Sequence, residues 1–201
     1  MIEVAGNSAQ VIVANASGIT CNNCGFINTN RATLTTGKIT PQLNGDFTIN
    51  VDKGQIVITD KFNSNSPTDI LAKTAAISGK MNADEINIIT GTNVISKNGQ
   101  LIKSASSNTN TPNIAIDISA LGGMYADKIT LISTGNNSAI SNKGIISAGD
   151  DGLRIASNGN IFNYKTMDAI SDVNTATSNP AYAHNLSGIE NTGLLNQKQR
   201  Y

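Results

Sequence analysis

The chain has 201 residues, no net charge, 14% charged residues and 4% aromatic residues. Globular domains carry roughly 25% charged residues. The few charges are scattered, which argues against the clustered basic surface that a nucleic-acid partner needs and against a polybasic membrane patch. Short groups of Ile, Val, Leu and Ala, separated by 28 Asn and 18 Gly, predict a thin aliphatic core with many turns.

Strand-like segments recur along the whole chain. In chain order they are residues 10–14, 26–28, 32–35, 47–51, 55–59, 86–90, 114–118, 129–133, 144–147, 153–156 and 160–162. Most alternate apolar and polar residues, which indicates half-buried strands. Turn-forming pairs such as Asn44-Gly45 and Asn98-Gly99 separate them. Residues 69–77 are the best candidate for anything helical, and we expect one helical turn or an irregular strand there.

Two eight-residue segments of the chain have similar sequences. Residues 79–86 return as residues 122–129, at a constant offset of 43 residues. A fixed internal period indicates stacked structural units. If the offset spans two turns of a β-solenoid, each coil takes about 20–23 residues, and Asp84 and Asp127 lie two levels apart in one column. An antiparallel sandwich is the competing all-β architecture, and the repeat disfavours it.

A longer stretch resembles a known family. Residues 11–37, which include Val11-Ile12-Val13-Ala14 and the segment Cys21-Asn22-Asn23-Cys24-Gly25, are similar to the secretion domain of two-partner-secreted exoproteins of the filamentous haemagglutinin type. That family includes adhesins and the effectors of contact-dependent growth inhibition. Residues 85–93 and 115–127 continue the likeness, and residues 129–148 and 153–163 resemble haemagglutinin rod repeats. We therefore expect residues 1–120 to be the C-terminal part of the secretion domain and residues 121–201 to begin the rod.

The resemblance implies a fold, a partner and a location. The implied fold is all-β, a right-handed parallel β-helix (β-solenoid). The implied partner is a TpsB-type outer-membrane transporter that exports the chain unfolded. The full-length protein would be secreted or held at the bacterial cell surface, and it would meet a receptor on a host or neighbouring cell. Residues 1–6 lack the basic and apolar regions of a signal peptide, so we expect none in this chain.

The family's recognition motif, usually Asn-Pro-Asn-Gly-Ile, is present in altered form. It reads Asn15-Ala16-Ser17-Gly18-Ile19 here, and the resemblance implies that these residues are a secretion determinant. The residue types also predict a corner between strands, because Asn15 can form an Asx turn and Gly18 can adopt a positive φ. Ala16 lacks the fixed φ of the family's proline.

The two cysteines, Cys21 and Cys24, allow several interpretations. A disulfide within a turn fits an exported protein in an oxidising compartment, and we expect this pairing. Two reduced thiols remain the alternative. A structural zinc site needs further Cys or His ligands, and only His184 is left in the chain. A thioredoxin-like motif needs a βαβ context that the sequence lacks. No metal is expected.

Acidic residues do not form a recognisable catalytic or calcium-binding pattern. Asp84 and Asp127 occupy equivalent repeat positions, and we expect them to cap turns. Asp150-Asp151 is the only pair of adjacent aspartates. His184 has no nucleophile elbow to accompany it. We expect neither an enzyme nor a cofactor. The alternative is a β-helical polysaccharide lyase or hydrolase, whose site would need several acids converging with Arg or Lys on one face.

Overall fold

A computed structural model describes residues 1–105, 112–170, 173–175, 189–191 and 194–197, with side chains described up to residue 170. In these residues the chain forms 24 strands and no helix. The strands of residues 1–72 are β1 (Ile2–Glu3), β2 (Ala9–Ala14), β3 (Ile19–Cys21), β4 (Cys24–Ile27), β5 (Thr29–Thr35), β6 (Lys38–Pro41), β7 (Phe47–Val51), β8 (Gln55–Ile58), β9 (Phe62–Ser64) and β10 (Thr68–Ala72). None of the described residues forms a helix that could span a membrane.

The remaining strands continue the same succession. They are β11 (Thr74–Ile77), β12 (Lys80–Asn82), β13 (Glu85–Thr90), β14 (Asn93–Ser96), β15 (Leu101–Ser104), β16 (Ile114–Ile118), β17 (Gly123–Ser133), β18 (Ala139–Asn142), β19 (Ile145–Ser157), β20 (Ile161–Asn163), β21 (Thr166–Ala169), β22 (Val173–Thr175), β23 (Ile189–Asn191) and β24 (Leu194–Gln197).

Twenty of these strands stack into three parallel faces. The first face contains β2, β5, β10, β13, the C-terminal halves of β17 and β19, and β22. The second face contains β3, β8, β11, β16, β18, β20 and β23. The third face contains β1, β4, β9, β12, the N-terminal halves of β17 and β19, β21 and β24. The chain visits the three faces in rotation, so the expected all-β parallel β-helix is confirmed.

Inward side chains from all three faces form one continuous inner core. Ile56, Ile70, Ile88, Ile116 and Met124 are fully buried in it. Equivalent residues lie directly above one another, as the pairings of Ile70 with Ile88 and of Ile88 with Leu131 show. Small β-branched side chains suit this arrangement, because each one packs on a neighbour of similar size one strand spacing away.

The 43-residue repeat is one coil, not two. Ile86 pairs directly with Ile129, and the amide of Asp127 donates to the carbonyl oxygen of Asp84 at 3.0 Å. The two aspartates therefore share a column as expected but lie on adjacent levels. Coils without insertions are much shorter, since Val11 pairs with Ala32 and Leu153 with Val173. The extra length of the 43-residue coil includes the hairpin β14–β15.

Two hairpins leave the solenoid and form a separate outer sheet. Its four strands are antiparallel, in the order β15-β14-β7-β6, and the sheet packs on the outward side of the first face. The contact creates an outer core of Ile49, Val51, Leu71, Ile89, Ile95, Ile132 and Ala156. Strand β10 lies between the two cores, and all five of its residues are buried.

This double burial explains the sequence of residues 69–77. The expectation of a helical turn or an irregular strand is wrong, because the segment forms two regular strands, β10 and β11, on either side of a corner at Lys73. The apolar run arises because Ile70 faces the inner core and Leu71 faces the outer one.

A buried ion pair joins two strands of the first face beneath the outer sheet. Arg31 donates two hydrogen bonds to Asp69, at 2.7 and 3.0 Å, and Thr33 donates a third at 3.1 Å. The side-chain Nδ2 of Asn87 donates to both Asp69 and the carbonyl oxygen of Gly99, each at 2.9 Å. Asp69 is fully buried, and these partners compensate the loss of hydration of its carboxylate.

Candidate recognition site

The motif Asn15–Ile19 forms the corner between strands β2 and β3. The side-chain oxygen of Asn15 accepts a hydrogen bond from the amide of Ser17 at 3.1 Å, and its carbonyl oxygen accepts one from the amide of Gly18 at 3.1 Å. This is the Asx turn that the residue types predict. Asn15, Ala16 and Ser17 are exposed, whereas Gly18 and Ile19 are half-buried. The corner therefore presents three consecutive side chains to solvent.

Contacts with the next coils hold this corner in place. The amide of Asn15 donates to the carbonyl oxygen of Thr35 at 2.9 Å. Gly18 has φ +126°, and a Cβ added there would lie 2.9 Å from the carbonyl oxygen of Gln55. Any other residue at this position would be strained and would push against the backbone of the next strand on the second face. Ile19 pairs with Ile56 and packs on the inner core.

The two cysteines occupy the following corner, between β3 and β4. Cys21 is fully buried in the inner core, and Cys24 packs against it. Asn23, between them, has φ 54° and allows the sharp turn. The structure joins the two sulfur atoms. The carbonyl oxygen of Cys21 accepts hydrogen bonds from the amide and hydroxyl of Thr59, at 2.9 and 3.1 Å.

The acidic residues are not gathered into a metal site. No group of three or more His, Cys, Asp or Glu is placed to hold an ion within the described residues. Asp84 and Asp127 line a shallow groove with Tyr125 at the junction of the third and first faces. Asp150 and Asp151 lie within β19. His184, the one histidine of the sequence, falls outside the described residues.

The fold defines a class of protein, a parallel β-helix that carries an antiparallel outer sheet. The sequence model described as TPS secretion domain matches residues 1–163. The chain belongs to this family. Its structure is similar to the crystal structure of the filamentous hemagglutinin secretion domain, with a TM-score of 0.75 and 22% identity, covering 98% of this chain and 65% of that one. At this identity the structural likeness supports the fold alone.

Three curated relatives are similar in sequence. Toxin CdiA of Yersinia pestis is 40% identical over 200 residues, which is 96% of this chain and 6% of the relative. The tRNA nuclease CdiA-2 of Burkholderia pseudomallei is 36% identical over 80% of this chain and 5% of its own length. The 16S rRNA endonuclease CdiA of Enterobacter cloacae is 35% identical over 82% and 5% respectively. The chain thus spans only about a twentieth of these relatives.

Proposed function

We propose that the chain is the export-recognition section of a large bacterial exoprotein. A TpsB-type outer-membrane transporter would bind it and pass it unfolded to the cell surface or the medium. Membership of the TPS secretion domain family and the exposed corner Asn15–Ile19 support this proposal. The full-length protein would act in adhesion, haemagglutination or contact-dependent growth inhibition, through a receptor on a host or neighbouring cell. The toxin and nuclease names of the relatives favour growth inhibition.

Recognition of an unfolded chain needs a signal that forms without the solenoid. The two hydrogen bonds inside Asn15–Gly18 join residues two and three positions apart, so they can form locally before any coil exists. The bond from Asn15 to Thr35 and the approach of Gly18 to Gln55 require neighbouring coils. The same five residues would therefore serve first as a transporter signal and later as a folded corner.

Three further assignments belong to this proposal. Cys21 and Cys24 are oxidised to a disulfide, as suits the oxidising surroundings of an exported protein. The section contributes binding and folding rather than catalysis. The rod begins near residue 121, because both excursions into the outer sheet precede that residue and a column of buried asparagines, Asn142 and Asn163, follows it. The family match itself extends past this position to residue 163.

The test compares two similar turns. Asn44 accepts a hydrogen bond from the amide of Asp46 at 3.1 Å in the exposed turn between β6 and β7, which matches the bond from Ser17 to Asn15. Asn15→Ala and Asn44→Ala are introduced separately into the full-length exoprotein, which is co-expressed with its transporter. We expect Asn15→Ala to lower the amount exported at least fivefold and Asn44→Ala to leave it unchanged. Equal export of both variants would refute the role of the motif.

A second variant separates the signal from the folded corner. Gly18→Ala keeps the Asn15 side chain but adds a methyl group beside the Gln55 carbonyl oxygen. We expect it to destabilise the refolded protein, whereas Asn15→Ala changes the midpoint of urea unfolding only slightly because Asn15 is exposed. If Asn15→Ala lowered the midpoint of urea unfolding as much as Gly18→Ala does, its export defect would reflect folding alone.

A further inference from the structure

The outward side of the outer sheet carries a row of residues that the sequence does not reveal. Lys38, Asn50, Val94 and Lys103 are direct cross-strand neighbours on β6, β7, β14 and β15. Ile49, Val51 and Ile95, at the alternate positions, face the outer core. Since side chains alternate across a strand, the row of four points away from the solenoid. A lysine therefore lies at each end of one row, on the two edge strands.

This row borders a cavity of about 360 Å³. Asp52 and Thr92 line the same cavity from the base of the outer sheet. Lys73 reaches toward it from the corner between the first and second faces, and its ammonium group donates to the hydroxyl of Thr92 at 2.8 Å. Burial lowers the pKa of Lys73, and the nearby carboxylate of Asp52 acts in the opposite direction. Two lysines and one aspartate thus line the cavity, and a third lysine, Lys73, contacts its wall through Thr92.

The arrangement of charge points to one kind of ligand. Lys38 and Lys103 form no ion pair among the described residues. Their backbones are three strand spacings apart, about 14 Å. Asp52, which directly follows β7 and lines the cavity, would repel an anion but accept hydrogen bonds from hydroxyl groups. The cavity is therefore positive at its ends and suited to hydroxyls in its middle.

We propose that this cavity binds a phosphorylated sugar of about disaccharide length. Its terminal phosphates interact with Lys38 and Lys103, and its hydroxyl groups bond to Asp52, Asn50 and Thr92. Lysine binds phosphate well as a point charge, and the volume lies within the usual range of small-molecule sites. This inference is independent of the proposed role in export, because it concerns the folded protein and a different surface.

Lysines on edge strands also have a simpler role, which is to prevent edge-to-edge pairing between molecules. That role predicts self-association when the lysines are removed and no saturable binding of a sugar phosphate. The two explanations therefore differ in what the same variant does. A binding measurement and a mass measurement on the same samples distinguish them.

The probe is a glucosamine disaccharide phosphorylated at both ends, titrated into the folded protein by calorimetry. The double variant Lys38→Gln/Lys103→Gln is compared with Lys61→Gln/Lys143→Gln, which removes two exposed lysines located elsewhere. We expect at least tenfold weaker binding for the first variant, unchanged binding for the second, and no binding of the unphosphorylated disaccharide. Added salt should weaken binding by the wild type.

Several results would overturn the proposal. One is the absence of saturable binding by the wild type, and another is an equal loss of affinity in both double variants. A third is that the first variant forms dimers in sedimentation while its affinity for the sugar phosphate is unchanged. A parallel arm identifies the source of the phosphate, using phosphatidylcholine vesicles with and without a phosphorylated disaccharide glycolipid. Lysine-dependent binding to the loaded vesicles indicates a lipid headgroup, and binding of the soluble probe alone indicates a free sugar phosphate.

Discussion

Coils before and after residue 120 share the inner core but are reinforced in different ways. Before residue 120 the outer sheet covers the first face, so that β10 is buried on both sides. After it, the outer core extends only to Ile132 and Ala156, and Arg154 of β19 is exposed between the buried residues Leu153 and Ile155. The first part gains stability from a second apolar layer, whereas the second part relies mainly on the inner core and contributes only two residues to the outer one.

The corner between the second and third faces shows the same contrast. In the earlier coils its inward column is apolar, with Cys21, Ile58, Ile77 and Ile118 in register. At the next level the column changes to Asn142 and then Asn163, whose side chains bond to each other at 2.9 Å. A hydrogen-bonded ladder thus replaces an aliphatic one. A solenoid tolerates this change because each level needs only a matching neighbour.

The largest expected effect comes from proline in a central strand of either part. Ile88 and Ile155 are both fully buried in the inner core, and each lies on a strand paired on both sides. Proline removes a ladder hydrogen bond from a central strand, and loss of the buried isoleucine side chain adds a further cost. We expect Ile88→Pro to slow export several-fold, and more than Ile155→Pro, if folding outside the cell draws the chain forward. Secretion rates measured by pulse-chase labelling test this, and unchanged rates for both variants would contradict it.

The next effect concerns the outer core alone. Leu71→Ala removes a fully buried side chain from beneath the outer sheet, and we expect a loss of about 3 kcal/mol in unfolding free energy. Thr130→Ala, on the outward side of the first face in a later coil, serves as the control and should change it by less than about 0.5 kcal/mol. Urea unfolding followed by circular dichroism provides the comparison. If the two variants lost similar amounts of unfolding free energy, the outer core would contribute little to stability.

The smallest effect concerns the asparagine ladder. Asn142 donates to Asn163 at 2.9 Å and to the carbonyl oxygen of Thr166 at 3.1 Å, and it accepts from the amide of Gly144 at 3.1 Å. Asn142→Ala leaves these buried partners without it and should cost about 1–2 kcal/mol. Asn160→Ala, at an exposed position, is the control. Amide hydrogen exchange that is faster in Asn142→Ala only within β18 and β20 would support a local ladder. Exchange that is faster throughout the protein would argue against it.

Local patterns predicted many individual strands well. Residues 47–51 and 114–118 coincide with β7 and β16. The same patterns could not show that β7 leaves the solenoid, because alternation is identical in parallel and antiparallel strands. The short strands β14 and β15 were missed, although Asn98-Gly99 between two apolar segments is typical of a hairpin. Because the hairpin adds residues to one coil, the 43-residue offset resembles the length of two coils.

The candidate sites show the same limit. The Asx turn at Asn15 depends on adjacent residues and could be predicted from them. The approach of Gln55 to Gly18 depends on the next coil, and the row from Lys38 to Lys103 depends on strand register across four strands. Neither leaves a signal in the spacing of residues. The residue types therefore predicted the turn at Asn15 but not the contacts that hold it against the next coil.

The outer sheet has a mechanical consequence. Strands β7 and β14 pair with each other, yet the chain makes two full coils, from β8 to β13, between them. Under tension, the coils after residue 120 can unfold one at a time from the C-terminal end. The two coils between β7 and β14 should instead stay folded until the hydrogen bonds between these two strands break. They should then unfold together, in one abrupt extension.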